Sequence, residues 1–474
     1  MRRLKSRLFF FFIGALFGLA TSSPSGSAAA AEPIKSSAVK TKKLVEKKTT
    51  TKTPKNKSAK TVSKSKQGKK FLDLSTQEDT TTPISDSVIR PPLDSAFTVA
   101  QSESGRVRLS RGVLTQLERG DRILKSDNGY QVTLSLDSEL QRFASNLLRK
   151  YRVPWGAIVA LDPSTGRIIA MSSYSDKQPW LSDISVSATY PAASIFKIVT
   201  SAAAIETSGL TGENLIRFRG GNYTLGFGNY LPDSKRDRRV MPLGEALGRS
   251  VNPVFARVAI NYLTAETLSA YAKKFWFNVN LPTDVAVEIS KFSLPIDDYE
   301  LARTAAGFGD VTLSPLHAAT LIGAVANKGV MMRPFFVDEI SAEQGKIIYR
   351  NIPQPLQVIL KRQTSEELMD MLQSTIEVGT AKKHFVKVSN PFLKNAAVAA
   401  KTGTLSGHSP KGVYHWFVGA APVDRPRIAI ATLIIDPGNA RVKSAVLARE
   451  FLEKVFSLKE YRDRSYEGAA DDKT

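Results

Sequence analysis

Three short strings pair a hydroxyl with a group that can move or bind a proton: Ser194-Ile195-Phe196-Lys197, Ser250-Val251-Asn252 and Lys401-Thr402-Gly403-Thr404. A serine becomes a useful nucleophile when a base takes its proton, and lysine is such a base only if burial or a second cation keeps its amine neutral. A three-residue spacing puts Ser194 and Lys197 on one side of a helical turn, with Ile195, Ile198, Val199 and Ala202 supplying apolar surroundings. Lys401 offers the second cation. A helix start would add an N–H and positive potential for an oxyanion. Ser250 and Asn252 open another apolar stretch and would project from a helix start or loop. Lys401 to Thr404 read as the end of a buried strand, with Gly403 allowing close backbone approach. A peptide added along that edge would bring an N–H beside a reacting carbonyl, while Lys401 and the threonine hydroxyls faced a carboxylate.

Each string alone has a plainer reading. Ser194 could cap a helix with Lys197 reaching to water, Ser250 and Asn252 could be a cap and a bonded core amide, and the third string could be a strand running into a turn. Decoys exist at Ser37/Lys40, Ser63/Lys66 and Ser126/Asn128, but the first two lie in a segment too polar to fold and the third in a hairpin turn. The absence of cysteine excludes disulfides, thiolate metal sites and a cysteine nucleophile. The four histidines, at 317, 384, 408 and 415, show no metal-ligand spacing, so neither metal nor cofactor is expected. No G-x-S-x-G elbow accompanies His408 and His415, which read as surface or hairpin residues. Gly307-Phe308-Gly309 lacks the third glycine of a nucleotide fingerprint and reads as a loop, followed by a helix capped by Ser314 and started by Pro315.

The elements that must hold these residues follow from periodicity. DSELQRFASNLLRKY places Leu140, Phe143, Leu147 and Leu148 on one helical face, and GAIVALD and RIIAMSS form a hairpin around Asp162 to Gly166. From about 193 to 388 helical spacing dominates; then AAVAAKTGT, YHWFVGAAP and RIAIATLII read as three buried strands before a closing helix in VKSAVLAREFLEKVF. The expectation is an α+β fold: a central five-stranded antiparallel sheet with helices on both faces and a large, mainly helical insert between its second and third strands. A short β-like lead-in with a turn at Asn128-Gly129 covers 97–135, the main domain 136–457 and a polar tail 458–474.

Charge is concentrated ahead of the fold. Of the net +22, residues 1–70 carry +16, which removes the main argument for a nucleic-acid partner. Four basic residues precede the 13-residue apolar run Leu8 to Ala20, an export signal shorter than the roughly 20 residues that span a bilayer. Residues 1–31 are thus a cleaved signal peptide, with small residues at Ala28 to Ala31, or an uncleaved anchor, and 32–96 a disordered Lys/Thr/Ser-rich tether. The tether is a spacer or a contact to anionic membrane or wall polymer.

The order Ser-x-x-Lys, Ser-x-Asn, Lys-Thr-Gly carries a resemblance. With GAIVALDPSTGRIIAMSS, EALGRSVNPVFARVA, GFGDVTLSPLHAATLIGAVANKG and YHWFVGAAP, residues 130–457 resemble the penicillin-binding protein transpeptidases, within the larger group of serine acyl-transferases that includes β-lactamases. The resemblance implies that Ser194 is acylated, Lys197 takes its proton, Ser250 relays a proton to departing D-alanine and Asn252 holds the donor peptide and contacts Lys197. It implies that Lys401, Thr402 and Thr404 bind the terminal carboxylate, with the N–H groups of Ser194 and Thr404 as oxyanion hole. Implied partners are D-Ala-D-Ala stem peptides of peptidoglycan and β-lactam antibiotics as covalent inhibitors, with location in the periplasm or on the outer face of the membrane. No room for a glycosyltransferase domain precedes Phe97, so a monofunctional enzyme is expected. D,D-carboxypeptidation at the same site is the alternative, and a non-catalytic wall-binding or β-lactam-sensing module a second.

Overall fold

The computed structural model describes residues 97–101, 107–386, 388–395 and 397–461. The export segment expected over 1–31, the tether over 32–96 and most of the tail over 458–474 lie outside the described residues.

Five strands form the central antiparallel sheet: β1 Trp155–Leu161, β2 Ile168–Tyr174, β3 Ala399–His408, β4 Lys411–Ala421 and β5 Ile428–Asp436, in spatial order β3-β4-β5-β1-β2. Ile428 to Ile435 is apolar on both faces apart from Thr432, and all eight residues are buried, because helices cover the sheet on each side. The helices that frame the site are α1 Ser138–Lys150, α2 Lys197–Ser208, α3 Leu243–Arg249, α4 Asn252–Tyr262, α5 Pro315–Ala326, α6 Arg362–Glu377 and α7 Ser444–Val455.

On one face Leu140, Leu147 and Leu148 of α1 and Phe451, Leu452 and Val455 of α7 pack with Ile158, Ile430 and Ile434, with Phe143 half-buried at the rim. Asp137 caps α1, its Oδ1 accepting from the N–H groups of Glu139 and Leu140 at 2.9 Å each. On the other face α5 packs over the sheet, and Val159, Ala431 and Leu433 share one core cluster with residues of α5 and α2. Every residue of α5 is buried, as its sequence PLHAATLIGAVA requires, and Ser314 caps it by accepting from His317 N at 3.1 Å.

Three features add to the expected fold, whose insert is mainly helical. The segment after β2 also carries paired short strands, Leu215–Phe218 with Arg239–Pro242, Val330–Met332 with Pro355–Val358, and Val337–Ser341 with Ile347–Arg350. Runs of three to five residues are too short to show alternation against a helical background. The lead-in contains the short helix Val113–Leu117, and its strand Gln131–Leu134 pairs with Val337–Ser341, so lead-in and insert share one sheet. The Glu118 carboxylate ties it further to the centre, accepting from Ser145 Oγ, Ser172 Oγ and Ser173 N at 2.6, 2.8 and 2.8 Å. Finally, order extends past 457: Leu458 and Tyr461 pack against the α1/α7 cluster, and Tyr461 Oη donates to Asp137 Oδ2 at 3.3 Å.

Candidate active site

Ser194 lies in a 3₁₀ turn, Ala193–Phe196, and not at the first residue of the α-helix, which begins at Lys197. The preceding Ala193 has φ +50°, a left-handed conformation costly for a residue with a Cβ, and it is held there from two sides. On one side is Gly307, where a Cβ would stand 2.4 Å from the Ala193 carbonyl oxygen. On the other is Gly403 of β3, where a Cβ would stand 3.3 Å from both Ala193 Cβ and Ile195 Cγ1. The two glycines let a loop and an edge strand close on the serine turn, which leaves Ser194 partly exposed at the cleft. The loop reading of Gly307-Phe308-Gly309 was right; its contact with the serine turn has no sequence signal beyond the glycine itself.

Lys197 is fully buried, and its Nζ lies 2.8 Å from Ser194 Oγ and 2.8 Å from Asn252 Oδ1, with the Ala306 carbonyl as a third close partner. Burial, then the nearby charge of Lys401, holds its pKa well below the ordinary lysine value. A neutral amine has two N–H groups and one lone pair. The two carbonyl oxygens take the N–H groups, and the lone pair is left directed at the Ser194 hydroxyl. The plainer reading, in which Lys197 reaches to solvent, is excluded by its burial.

Ser250 ends α3 in a left-handed conformation, φ +58° and ψ +45°, and Asn252 begins α4 two residues later. That sharp change of direction aims both side chains into the cleft. Asn252 is fixed at three points: its N–H donates to Asn222 O at 2.7 Å, its Nδ2 to Tyr223 O at 2.9 Å, and its Oδ1 accepts from Lys197. The loop that supplies those carbonyls is pinned by buried Arg257, whose Nε and Nη2 each donate to Asp237 at 3.0 Å and whose Nη1 donates to Asn229 O at 3.0 Å. Against the upward push of burial, the hydrogen bonds of Arg257 and Arg219 hold the Asp237 carboxyl below its usual range.

Lys401 to Thr404 sit near the start of β3, a strand that runs on to His408, and do not end a strand as expected. The continuation LSGH is partly exposed, so its strand character has no apolar run to reveal it. Because side chains alternate, Lys401 and Gly403 face the serine turn whereas Thr402 and Thr404 face the α7 side. Lys401 Nζ donates to Ser250 Oγ at 2.9 Å and to Thr402 O at 2.7 Å, and burial pushes its pKa down to about 7. Thr402 Oγ1 meets Thr380 Oγ1 at 2.5 Å, and Thr404 lies across from His415 on β4. Thus β3 is an edge strand with its free side along the cleft.

The cleft encloses about 480 Å³ and is lined by Ser194, Ser250, Asn252, Thr402 and Thr404 together. Lys197, Lys401 and Gly403 complete it from beneath, so all eight expected residues converge. Tyr223, Thr380 and Lys443, which carried no signal, also line the cleft, as do Phe308 and His384, which were not expected at the site. His415, expected as a surface or hairpin residue, also lines the cleft, because its strand register sets it beside Thr404. Among the described residues no group of three or more carboxylate, histidine or cysteine side chains could hold a metal.

A buried lysine against a serine on one side of an antiparallel sheet, with a Lys-Thr-Gly edge strand across the cleft, defines the serine D,D-peptidase and β-lactamase-like class. Residues 156–454 match the family described as penicillin binding protein transpeptidase domain, and the chain belongs to that family. Over 312 residues it is 29% identical to the peptidoglycan D,D-transpeptidase PbpA of Mycobacterium tuberculosis (strain CDC 1551 / Oshkosh), covering 59% of this chain and 61% of that protein. The chain therefore spans about three fifths of the length of the first curated relatives it matches. Among solved structures it is similar to the D,D-transpeptidase domain of a peptidoglycan glycosyltransferase from Eggerthella lenta, at TM-score 0.60 and 25% identity over 76% of this chain and 95% of that one. It also shares its fold with penicillin-binding protein A from M. tuberculosis in a ceftriaxone acyl-enzyme complex, at TM-score 0.58 and 24% identity over 69% of this chain and 79% of that one.

Proposed function

We propose that this chain is an exported D,D-transpeptidase that cross-links peptidoglycan stem peptides through an acyl-enzyme on Ser194. The observation that carries the reading is the buried Lys197 amine, bonded to Asn252 Oδ1 and the Ala306 carbonyl and 2.8 Å from Ser194 Oγ. Lys197 accepts the Ser194 proton as Oγ attacks the carbonyl of the penultimate D-alanine. The charge that develops on the carbonyl oxygen falls to the N–H groups of Ser194 and Thr404. Ser250, bonded to Lys401, passes a proton to the departing D-alanine nitrogen, and Lys401, Thr402 and Thr404 hold the terminal carboxylate. Asn252 orients both Lys197 and the donor peptide, and Gly403 lets β3 lie close enough for the peptide to add as a strand. An amine from a second stem peptide then attacks the ester and regenerates Ser194. The transpeptidase names borne by relatives such as PbpA support amine over water as the acceptor.

Location at the outer face of the cytoplasmic membrane or in the periplasm, β-lactams as covalent inhibitors, and contact of the basic tether with anionic membrane or wall polymer belong to the same proposal. Among the described residues no helix is long and apolar enough to cross a membrane.

The test is covalent labelling with a fluorescent penicillin, followed by incubation with a pentapeptide and a D-amino acid. The expected result is a single adduct that disappears in Ser194→Ala, and exchange of the terminal D-alanine. A folded wild type that stays unlabelled would overturn the acyl-enzyme, and D-alanine release without exchange would replace transpeptidation by carboxypeptidation.

A further inference from the structure

The cleft carries more basic side chains than one terminal carboxylate needs. Lys401, with Ser250 and Thr402, answers that carboxylate, yet Lys383, His384, His415 and Lys443 also line the cleft and, among the described residues, no aspartate or glutamate does. Of these, Lys443 is the residue just ahead of α7. Its ammonium donates to His415 Nε2 at 3.0 Å, which requires a neutral ring with its proton on Nδ1, and Nδ1 faces Thr404 Oγ1 at 3.5 Å. Burial, then the charge of Lys443, lowers the His415 pKa, so the neutral ring is also the stable one. Asp436 lies behind the pair, its Oδ2 at 3.8 Å from both, while its Oδ1 accepts from Gly438 N and Ala440 N at 2.7 and 2.8 Å. Lys443 is thus steered to the cleft wall with its side chain 48% exposed.

Direction along β3 says which part of a ligand meets this lysine. A donor peptide added antiparallel to β3 with its terminal carboxylate at Lys401 and Thr402 runs its earlier residues past Thr404 toward His408. Thr404 pairs across the sheet with His415, and His415 holds Lys443. We propose that Lys443, backed by His415, is a subsite for a carboxylate carried by the acyl donor on the amino-terminal side of the bond that breaks. This rests on the acyl-enzyme reading above and adds a substrate preference to it: stem peptides and β-lactams with an acidic group at that position acylate Ser194 faster.

Benzylpenicillin and carbenicillin differ by one carboxylate on the acyl side chain, so the ratio of their second-order acylation rate constants isolates this contact within each protein. Relative to wild type, the carbenicillin-to-benzylpenicillin ratio is expected to fall about fivefold in Lys443→Ala, equivalent to about 1 kcal/mol. It should fall further in Lys443→Glu and stay within about twofold in Lys443→Arg. Because only folded molecules form adducts, intact-mass stoichiometry reports folding in every variant. An equal ratio in wild type, Lys443→Ala and Lys443→Glu overturns the subsite while leaving the acyl-enzyme in place. A folded wild type acylated by neither compound overturns both.

Discussion

Replacing Lys401 by methionine should make the protein more stable near neutral pH while abolishing acylation. Lys401 is fully buried, and desolvation sets its pKa at about 7, whereas an unfolded chain titrates lysine near ~10.4. Between these values the unfolded state binds a proton that the folded state does not, so wild-type stability rises with pH across the window. The penalty is absent above the unfolded value, grows as pH falls, and is complete below about 7. One proton of difference corresponds to about 1.4 kcal/mol per pH unit, or roughly 3 kcal/mol between pH 8 and 10. Lys197, also shifted downward, contributes a slope of the same sign, and because Lys401 is largely uncharged in this range, removing it leaves that slope almost intact. The hydrogen bonds lost to Ser250 and Thr402 shift the variant's curve by a nearly constant amount. Urea unfolding at pH 8, 9 and 10 should therefore show the stability of Lys401→Met relative to wild type falling by roughly 3 kcal/mol over those two units. Parallel stability curves for the two proteins would refute a neutral Lys401 and with it the electrostatic account of the lysine pair.

Gly307→Ala should slow acylation at least about tenfold, because the new Cβ meets backbone atoms of Ala193 and Ser194 at 2.4 to 2.9 Å and can be accommodated only by moving the serine turn. Gly209→Ala is the comparison: it shares a positive φ but meets nothing within 4 Å, so it should lower stability with an unchanged acylation rate. Arg257→Ala should cost about 3–5 kcal/mol in denaturant unfolding, since it leaves the Asp237 carboxylate buried with half its partners. It should also slow acylation by freeing the loop that holds Asn252, and a stability loss below about 1 kcal/mol would show that the loop is held by other means.

Much of this protein is written locally. The spacing of Ser194 and Lys197 already implies one turn between them, α1 and the wholly buried α5 declare themselves by periodicity, β1 and β2 read as a hairpin, and the start of β3 with β4 and β5 read as buried strands from their apolar runs. The order of the three motifs was sufficient for the family. Tertiary structure alone decided the rest, for a physical reason: sequence periodicity encodes which face of an element is buried but not which distant backbone lies against it. The third partner of Lys197 is the carbonyl of Ala306, a group that every residue possesses and none advertises. The strain at Ala193 is visible only where Gly307 and Gly403 press on it from segments more than a hundred residues away. The extension of β3 to His408, and with it the placing of His415 and Lys443 beside Thr404, depends on a cross-strand register that no single segment contains.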